Sequence, residues 1–262
     1  MIGAIIGDIV GSRFEFSKAP AKGFELFAPE CDYTDDTICT IAIADAILNG
    51  KEYKDALLEW CRRYPNPLGG YEILFHRWLT SENPQPYGSS GNGAAMRVGP
   101  VAWLFTEFQQ VQEEARKTAM PTHNHEEGQK GAECIATIAY WLHNSRINRD
   151  EVERKVEKLW GYEVIPLKDV YRIGSQGHFD GTCMETVPMA IRCFIESQNF
   201  EEAIRMAVMA GGDTDTKACI TGILAEAFYE IPDHLVGTAL SYLPDEMLDI
   251  VTQFYNRIGQ SI

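Results

Sequence analysis

Apolar residues return every three or four positions along most of this chain, the spacing that lines them up on one face of an α-helix. The pattern predicts helices over "TICTIAIADAILNG" (37–50), "YKDALLEWCRRY" (53–64), "GAAMRVGPVAWLF" (93–105), "EEGQKGAECIATIAYWLHN" (126–144) and "RDEVERKVEKLW" (149–160). It continues through "ETVPMAIRCFIES" (185–197), "FEEAIRMAVMA" (200–210), "TKACITGILAEAFYEI" (216–231) and "PDEMLDIVTQFYNRI" (244–258). Gly50 ends the first of these, Pro65 and Pro67 stop the second, and Pro100 reads as a kink or a first-turn residue. At the N-terminus, "GAIIGDIVGSRFEF" sets Gly3, Gly7 and Gly11 four residues apart, so one helix face is bare backbone suited to close packing. No run alternates strictly between turn signals, which leaves no hairpin. The fold class is all-α.

The longer connections are 17–33, 80–92, 119–125 and 161–182, and none has the composition of a linker. Residues 1–262 therefore read as a single domain, long enough for a sizeable core. Gly174, Gly177 and Gly181 make 161–182 a candidate lid, weighed against an ordinary surface loop.

Charge narrows the partners. Thirty-eight acids against 23 bases give −15, a surface that repels nucleic acid and anionic membranes. Seven cysteines without a CxxC pair argue against a disulfide framework and for a reducing, cytoplasmic setting. No apolar run approaches a membrane span, and the N-terminus, with Asp8 inside it, is a poor signal peptide. Without a heptad seam, a monomer is expected.

Two acidic stretches then change the picture. "YTDDT" puts Thr34, Asp35, Asp36 and Thr37 at the start of one apolar helix; "GGDTDTK" puts Asp213, Asp215 and Thr216 at the start of another. An acid or hydroxyl before a helix caps free N–H groups and suits the dipole, which accounts for either motif singly. It does not account for two acids within three residues, twice. Crowded carboxylates repel unless a cation separates them, and hard divalent ions such as Mg²⁺ take carboxylate and hydroxyl oxygens. An EF-hand loop from Asp213 fails, with Ala218 at its glycine position and Leu224 at its glutamate position. A haloacid-dehalogenase D-x-D-x-[TV] motif fails at Lys217.

Glu15 follows the N-terminal helix and is a candidate acid/base group. "YGSSGNGAAMRVGP" (87–100) is a glycine-rich loop whose N–H groups suit a diphosphate. In "PTHNHEEG", His123 is the candidate ligand contact and His125 a surface residue.

"GDIVGSRFEF", "YTDDT", "GNGAAMRVGP", "TH" at 122–123, "ETVPMAIRCFIES" and "GGDTDTKACITGILAEAFYEIP", in this order from residue 7 to 232, resemble the ADP-ribosylglycohydrolase family. The resemblance implies a compact orthogonal helical bundle carrying two Mg²⁺ ions, with Mn²⁺ as a substitute. It implies Thr34, Asp35, Asp36, Asp213, Asp215 and Thr216 as metal ligands, and Glu15, Asp35 and Asp215 as catalytic. Gly88, Ser89, Ser90, Gly91, Asn92 and His123 match its ADP-ribose-binding positions. The expected activity is hydrolysis of the glycosidic bond between ADP-ribose and a protein side chain, arginine before serine. A free ADP-ribosyl or nucleotide-sugar substrate, or ADP-ribose binding without turnover, are the alternatives. Lys217 and Glu226 depart from the family pattern, where smaller or apolar residues are usual.

Overall fold

Residues 1–260 are described by a computed structural model. In chain order its helices are α1 (Ile2–Ser12), α2 (Asp35–Asn49), α3 (Tyr53–Arg63), α4 (Ile73–Thr80), α5 (Gly93–Met96), α6 (Gly99–Leu104), α7 (Phe108–Ala119) and α8 (Glu126–His143). They continue as α9 (Arg149–Trp160), α10 (Leu167–Ser175), α11 (Cys183–Glu196), α12 (Phe200–Met209), α13 (Thr214–Glu226), α14 (Asp233–Leu240) and α15 (Asp245–Ile258). Among the described residues there is no strand, only an isolated bridge between Gly91 and Thr182. The all-α expectation holds.

Two helices form the centre. Every residue of α1 is buried, and α13 is buried from Thr214 to Ala225. They approach through the glycine face: a Cβ built on Gly7 would lie 2.0 Å from the Ala218 carbonyl oxygen, and one on Gly3 2.4 Å from that of Gly222. Backbone-to-backbone packing of this kind leaves no room for a methyl group, so any side chain there must separate the helices. Polar ties hold both ends. Glu226 accepts from the Met1 amino group, the Gly3 N–H and the Tyr255 hydroxyl, which joins α1, α13 and α15. At the other end the Thr214 hydroxyl donates to the Gly11 carbonyl at 2.9 Å. The departure at Glu226 is thereby explained as a three-helix junction.

The remaining helices wrap this pair, and one contiguous apolar core runs through all of them. All seven cysteines are free and buried in it.

Some boundaries move. The helix expected over 93–105 is two, α5 and α6, broken at Arg97 and Val98, with Pro100 in the first turn of α6 where its missing N–H is harmless. The segment 161–182 contains α10, whose Gly174 lies against the Ala210 carbonyl, so only 161–166 and 176–182 are loop.

Candidate active site

The C-terminal end of α1 and the N-termini of α2 and α13 converge, and their acids meet there. Thr34 caps α2, its hydroxyl accepting from the Asp36 N–H at 3.2 Å. Asp8, from α1, receives the Thr34 N–H at 2.9 Å, the Thr34 hydroxyl at 2.6 Å, the Thr37 N–H at 3.0 Å and the Thr37 hydroxyl at 2.5 Å. Its carboxylate therefore acts as a strut that fixes the start of α2 against α1. From α13, the Thr216 hydroxyl donates to Asp36 Oδ2 at 3.2 Å, linking the two acidic motifs. The Asn92 side-chain amide donates to Asp213 Oδ2 at 2.7 Å and to the Thr186 hydroxyl at 3.0 Å.

The acids raise one another. Burial, then repulsion from Asp8 and Asp213, pushes Asp35 up to about 7. Burial, then repulsion from Asp213 and Asp35, pushes Glu15 up to about 8. Burial drives Asp36 and Asp215 well above the usual carboxylate range, with their acidic neighbours adding to it.

A divalent cation fits this donor set. Asp36 Oδ1 and Asp215 Oδ1 are buried and have no hydrogen-bond partner, an arrangement that costs roughly 1–3 kcal/mol or more per charged oxygen unless something positive meets it. Asp8, Asp36 and Asp215 bring carboxylate oxygens within 4.8 Å of one another, and so do Glu15, Asp213 and Asp215. Asp215 belongs to both groups, as expected of an acid between two cation positions. Asp8 is close enough to ligate, but its oxygens are already taken by four donors.

Lys217 follows the cluster in sequence yet is buried and forms no ion pair with the acids among the described residues. It is 1 % exposed, and its Nζ turns back to donate to the Gly211 carbonyl at 2.8 Å. It closes the Gly211–Gly212 turn, whose φ values of +67° and +68° demand glycine. Desolvation holds its pKa below the usual lysine range.

A cleft of about 480 Å³ opens over the cluster, within the range typical of small-ligand sites. Glu15, Asp35, Asp36, Asp213, Asp215 and Thr216 line it together with Ser89, Gly91, Asn92 and His123. Thr34, Gly88 and Ser90 lie outside the lining. Four amides of the glycine-rich loop are already engaged within the protein. The N–H groups of Gly88, Ser89, Gly91 and Asn92 already donate to Asn124, Thr122, Ser89 and Gly181. His125 is exposed and caps α8, as a surface residue should.

Sequence reasoning did not place Asp8 in the site, although an acid inside an apolar helix was a visible signal. It also missed Arg97, Tyr87 and the stretch 69–75, all of which line the cleft. Gly69, at φ +77°, lies directly against Glu15 Oε2. The mouth carries an apolar collar of Phe16, Ile73, Leu74 and Phe179, all exposed. Phe16 stacks on Phe179 with ring centroids 5.1 Å apart, and it does so from φ +59°, a strained conformation for a bulky residue.

Comparison with known proteins agrees with this geometry. The chain is 24 % identical to ADP-ribosylhydrolase ARH3 of Xenopus tropicalis, covering 87 % of this chain and 85 % of that protein. It is 26 % identical to ADP-ribosylarginine hydrolase Tri1 of Pseudomonas putida, covering 88 % and 70 %. Among solved structures, an ADP-ribosylglycohydrolase-related protein complex superposes with a TM-score of 0.69 over 98 % of this chain and 95 % of that one, at 24 % identity. Above all, the sequence profile of the ADP-ribosylglycohydrolases matches residues 1–261, and the chain belongs to that family.

Proposed function

We propose that this protein is a divalent-metal-dependent hydrolase that releases ADP-ribose from a modified protein side chain, arginine before serine. The observation that carries the reading is the pair of orphaned buried oxygens, Asp36 Oδ1 and Asp215 Oδ1, at the base of a cleft large enough for a nucleotide ligand.

Asp35, Asp36, Asp213 and Asp215, with the Thr216 hydroxyl, would hold two hard cations, Mg²⁺ before Mn²⁺. Bound there, such ions would supply the positive charge that polarises ribose hydroxyls. The protein's own groups do the rest. Glu15, whose carboxylate lies within 4.8 Å of those of Asp213 and Asp215, faces the cleft between the acids and the mouth. It holds the attacking water and takes its proton as the water oxygen bonds to the anomeric carbon. The bond from that carbon to the acceptor nitrogen or oxygen breaks through an oxocarbenium-like state, and the proton taken up by Glu15 passes to the departing acceptor atom. Gly69 leaves room for the Glu15 carboxylate, since a Cβ there would lie 2.5 Å from its Oε2.

Two features favour a protein acceptor, and arginine within that class. The exposed collar of Phe16, Ile73, Leu74 and Phe179 is apolar surface a free nucleotide does not need. The lining also carries the exposed Glu72, whose charge suits a guanidinium leaving group better than a hydroxyl. The kinship with an ADP-ribosylarginine hydrolase points the same way.

The test is release of ADP-ribose from matched arginine- and serine-modified peptides, with Mg²⁺ and with chelator. Faster release from the arginine peptide, abolished by chelator, is expected. Tight binding of ADP-ribose without turnover on either peptide would identify a binding protein instead.

A further inference from the structure

The lining of the cleft includes a buried charged residue that forms no ion pair among the described residues. Arg97, at the break between α5 and α6, is 0 % exposed. Its Nη2 donates to the Thr118 carbonyl at 2.8 Å and to the Thr122 hydroxyl at 3.0 Å, while Nε and Nη1 are buried and unpartnered. The same Thr122 hydroxyl lies 2.7 Å from His123 Nδ1. His123 turns its other edge toward the cleft, with Nε2 3.0 Å from a Cβ built on Gly93 and 3.4 Å from one built on Gly91.

These contacts have one consistent proton assignment. A guanidinium can only donate, so the Thr122 oxygen accepts from Arg97. Thr122 is wholly buried, and His123 Nδ1 is the acceptor its own proton has. Were Nδ1 protonated, that hydroxyl proton would be left buried without a partner, a penalty that biases the tautomer roughly tenfold or more. Burial and the nearby guanidinium both oppose a second proton on the ring.

We infer that Arg97 and Thr122 form a relay that fixes His123 as the neutral Nε2–H tautomer, so that the ring presents a hydrogen-bond donor to a phosphate oxygen of the ligand. This rests on the proposal that the ligand is an ADP-ribosyl group. The relay supplies a donor on the side of the cleft where the loop amides of Gly88, Ser89, Gly91 and Asn92 are already engaged. Arg97 and Thr122 are positioning residues; only His123 touches the ligand.

Ring ¹⁵N NMR of histidine-labelled protein, assigned with His123→Gln, reads the tautomer with no ligand present. Wild type should show Nδ1 bare and Nε2 protonated. Thr122→Val should lose that bias, and Thr122→Ser should restore it. ADP-ribose affinity, by calorimetry, should fall roughly tenfold in Thr122→Val and recover in Thr122→Ser. His123→Gln, whose amide donor stands near Nε2, should bind better than His123→Asn. An unchanged tautomer in a folded Thr122→Val overturns the relay, and unchanged affinity despite a changed tautomer overturns its purpose. Wild type that shows the Nε2–H ring but does not bind ADP-ribose overturns the ligand reading alone.

Discussion

Asp8 and Asp215 are equally hidden, at 0 % and 3 % exposure, in one cluster of acids, yet they are opposites. Asp8 is met by two N–H groups and two hydroxyls, and every donor comes from the first turn of α2 or its cap. Asp215 has a buried oxygen with no hydrogen-bond partner among the described residues. Native proteins rarely leave a buried charge unanswered. An acid answered by the fold holds the fold together; an acid left open destabilises it and is kept for something that arrives from outside. The two residues should therefore respond to the same substitution with opposite signs.

The largest effect belongs to Asp215→Asn. ADP-ribose release should fall about a thousandfold, several kcal/mol of transition-state stabilisation. In chelator the variant should melt at or above the wild-type temperature, because one of several mutually repelling charges is gone. Added Mg²⁺ should raise the melting temperature of wild type and not of the variant. A chelator-treated Asp215→Asn that melts well below wild type would show that this acid is structural after all.

Asp8→Asn should do the reverse. An asparagine offers one accepting oxygen to four donors and turns an amide toward some of them. Loss of about 3 kcal/mol is expected, roughly an 8 °C drop in melting temperature for a chain of this size, in chelator and in Mg²⁺ alike. Where enough folded variant remains, any activity loss should track the displaced α2 start. Thermal melts paired with the release assay make the check, and an undiminished melting temperature refutes the strut.

A third buried acid calibrates the pair. Asp45 accepts from Lys51 at 2.8 Å, Trp60 Nε1 at 2.7 Å and Asn49 at 2.7 Å, far from the cluster, and these partners hold it below the usual carboxylate range despite the opposing effect of burial. With the folded pKa depressed, its contribution is complete above the unfolded value near ~4 and is lost as pH falls through the folded one. Asp45→Asn should cost about 1–2 kcal/mol at neutral pH, and the gap from wild type should close progressively below about pH 4. Denaturant unfolding across that window measures it; a gap independent of pH would mean the loss is packing alone.

Much of this was legible in the sequence, and what was not has physical reasons. The helices α2, α8, α9 and α15 fall within two residues of their expected bounds because dense apolar stripes and caps such as Gly50 announce them. The helices α4, α7, α10 and α14 were not anticipated: α7 keeps only Val111, Ala115, Thr118 and Ala119 buried, and α4 and α10 have fewer buried positions still. Within the site, the paired acids stood out because two lie within three residues, twice. Asp8's four bonds cross 26 to 29 residues of chain, and the Arg97–Thr122–His123 contacts join α5–α6 to the loop before α8, so neither is a local pattern. Gly69 carries no signal at all until Glu15 is seen resting on it.

The smallest expected effect tests the boundary between the two kinds of residue. Lys217 sits two positions after Asp215, but its charge is spent on the Gly211 carbonyl rather than on the acids. Lys217→Met keeps an unbranched side chain one atom shorter, removes a desolvated cation and forfeits one hydrogen bond. Those changes oppose each other, so stability should move by no more than about 1 kcal/mol. Activity at saturating Mg²⁺ should stay within about threefold, since no reacting atom is touched, while half-saturation should shift to lower Mg²⁺ by a similar factor as a repelling charge is lost. A hundredfold fall in activity with an intact melting temperature would move Lys217 from the brace of the turn into the site itself. A collapse in stability would instead show that the left-handed Gly211–Gly212 turn cannot hold the acids of α13 without that one hydrogen bond.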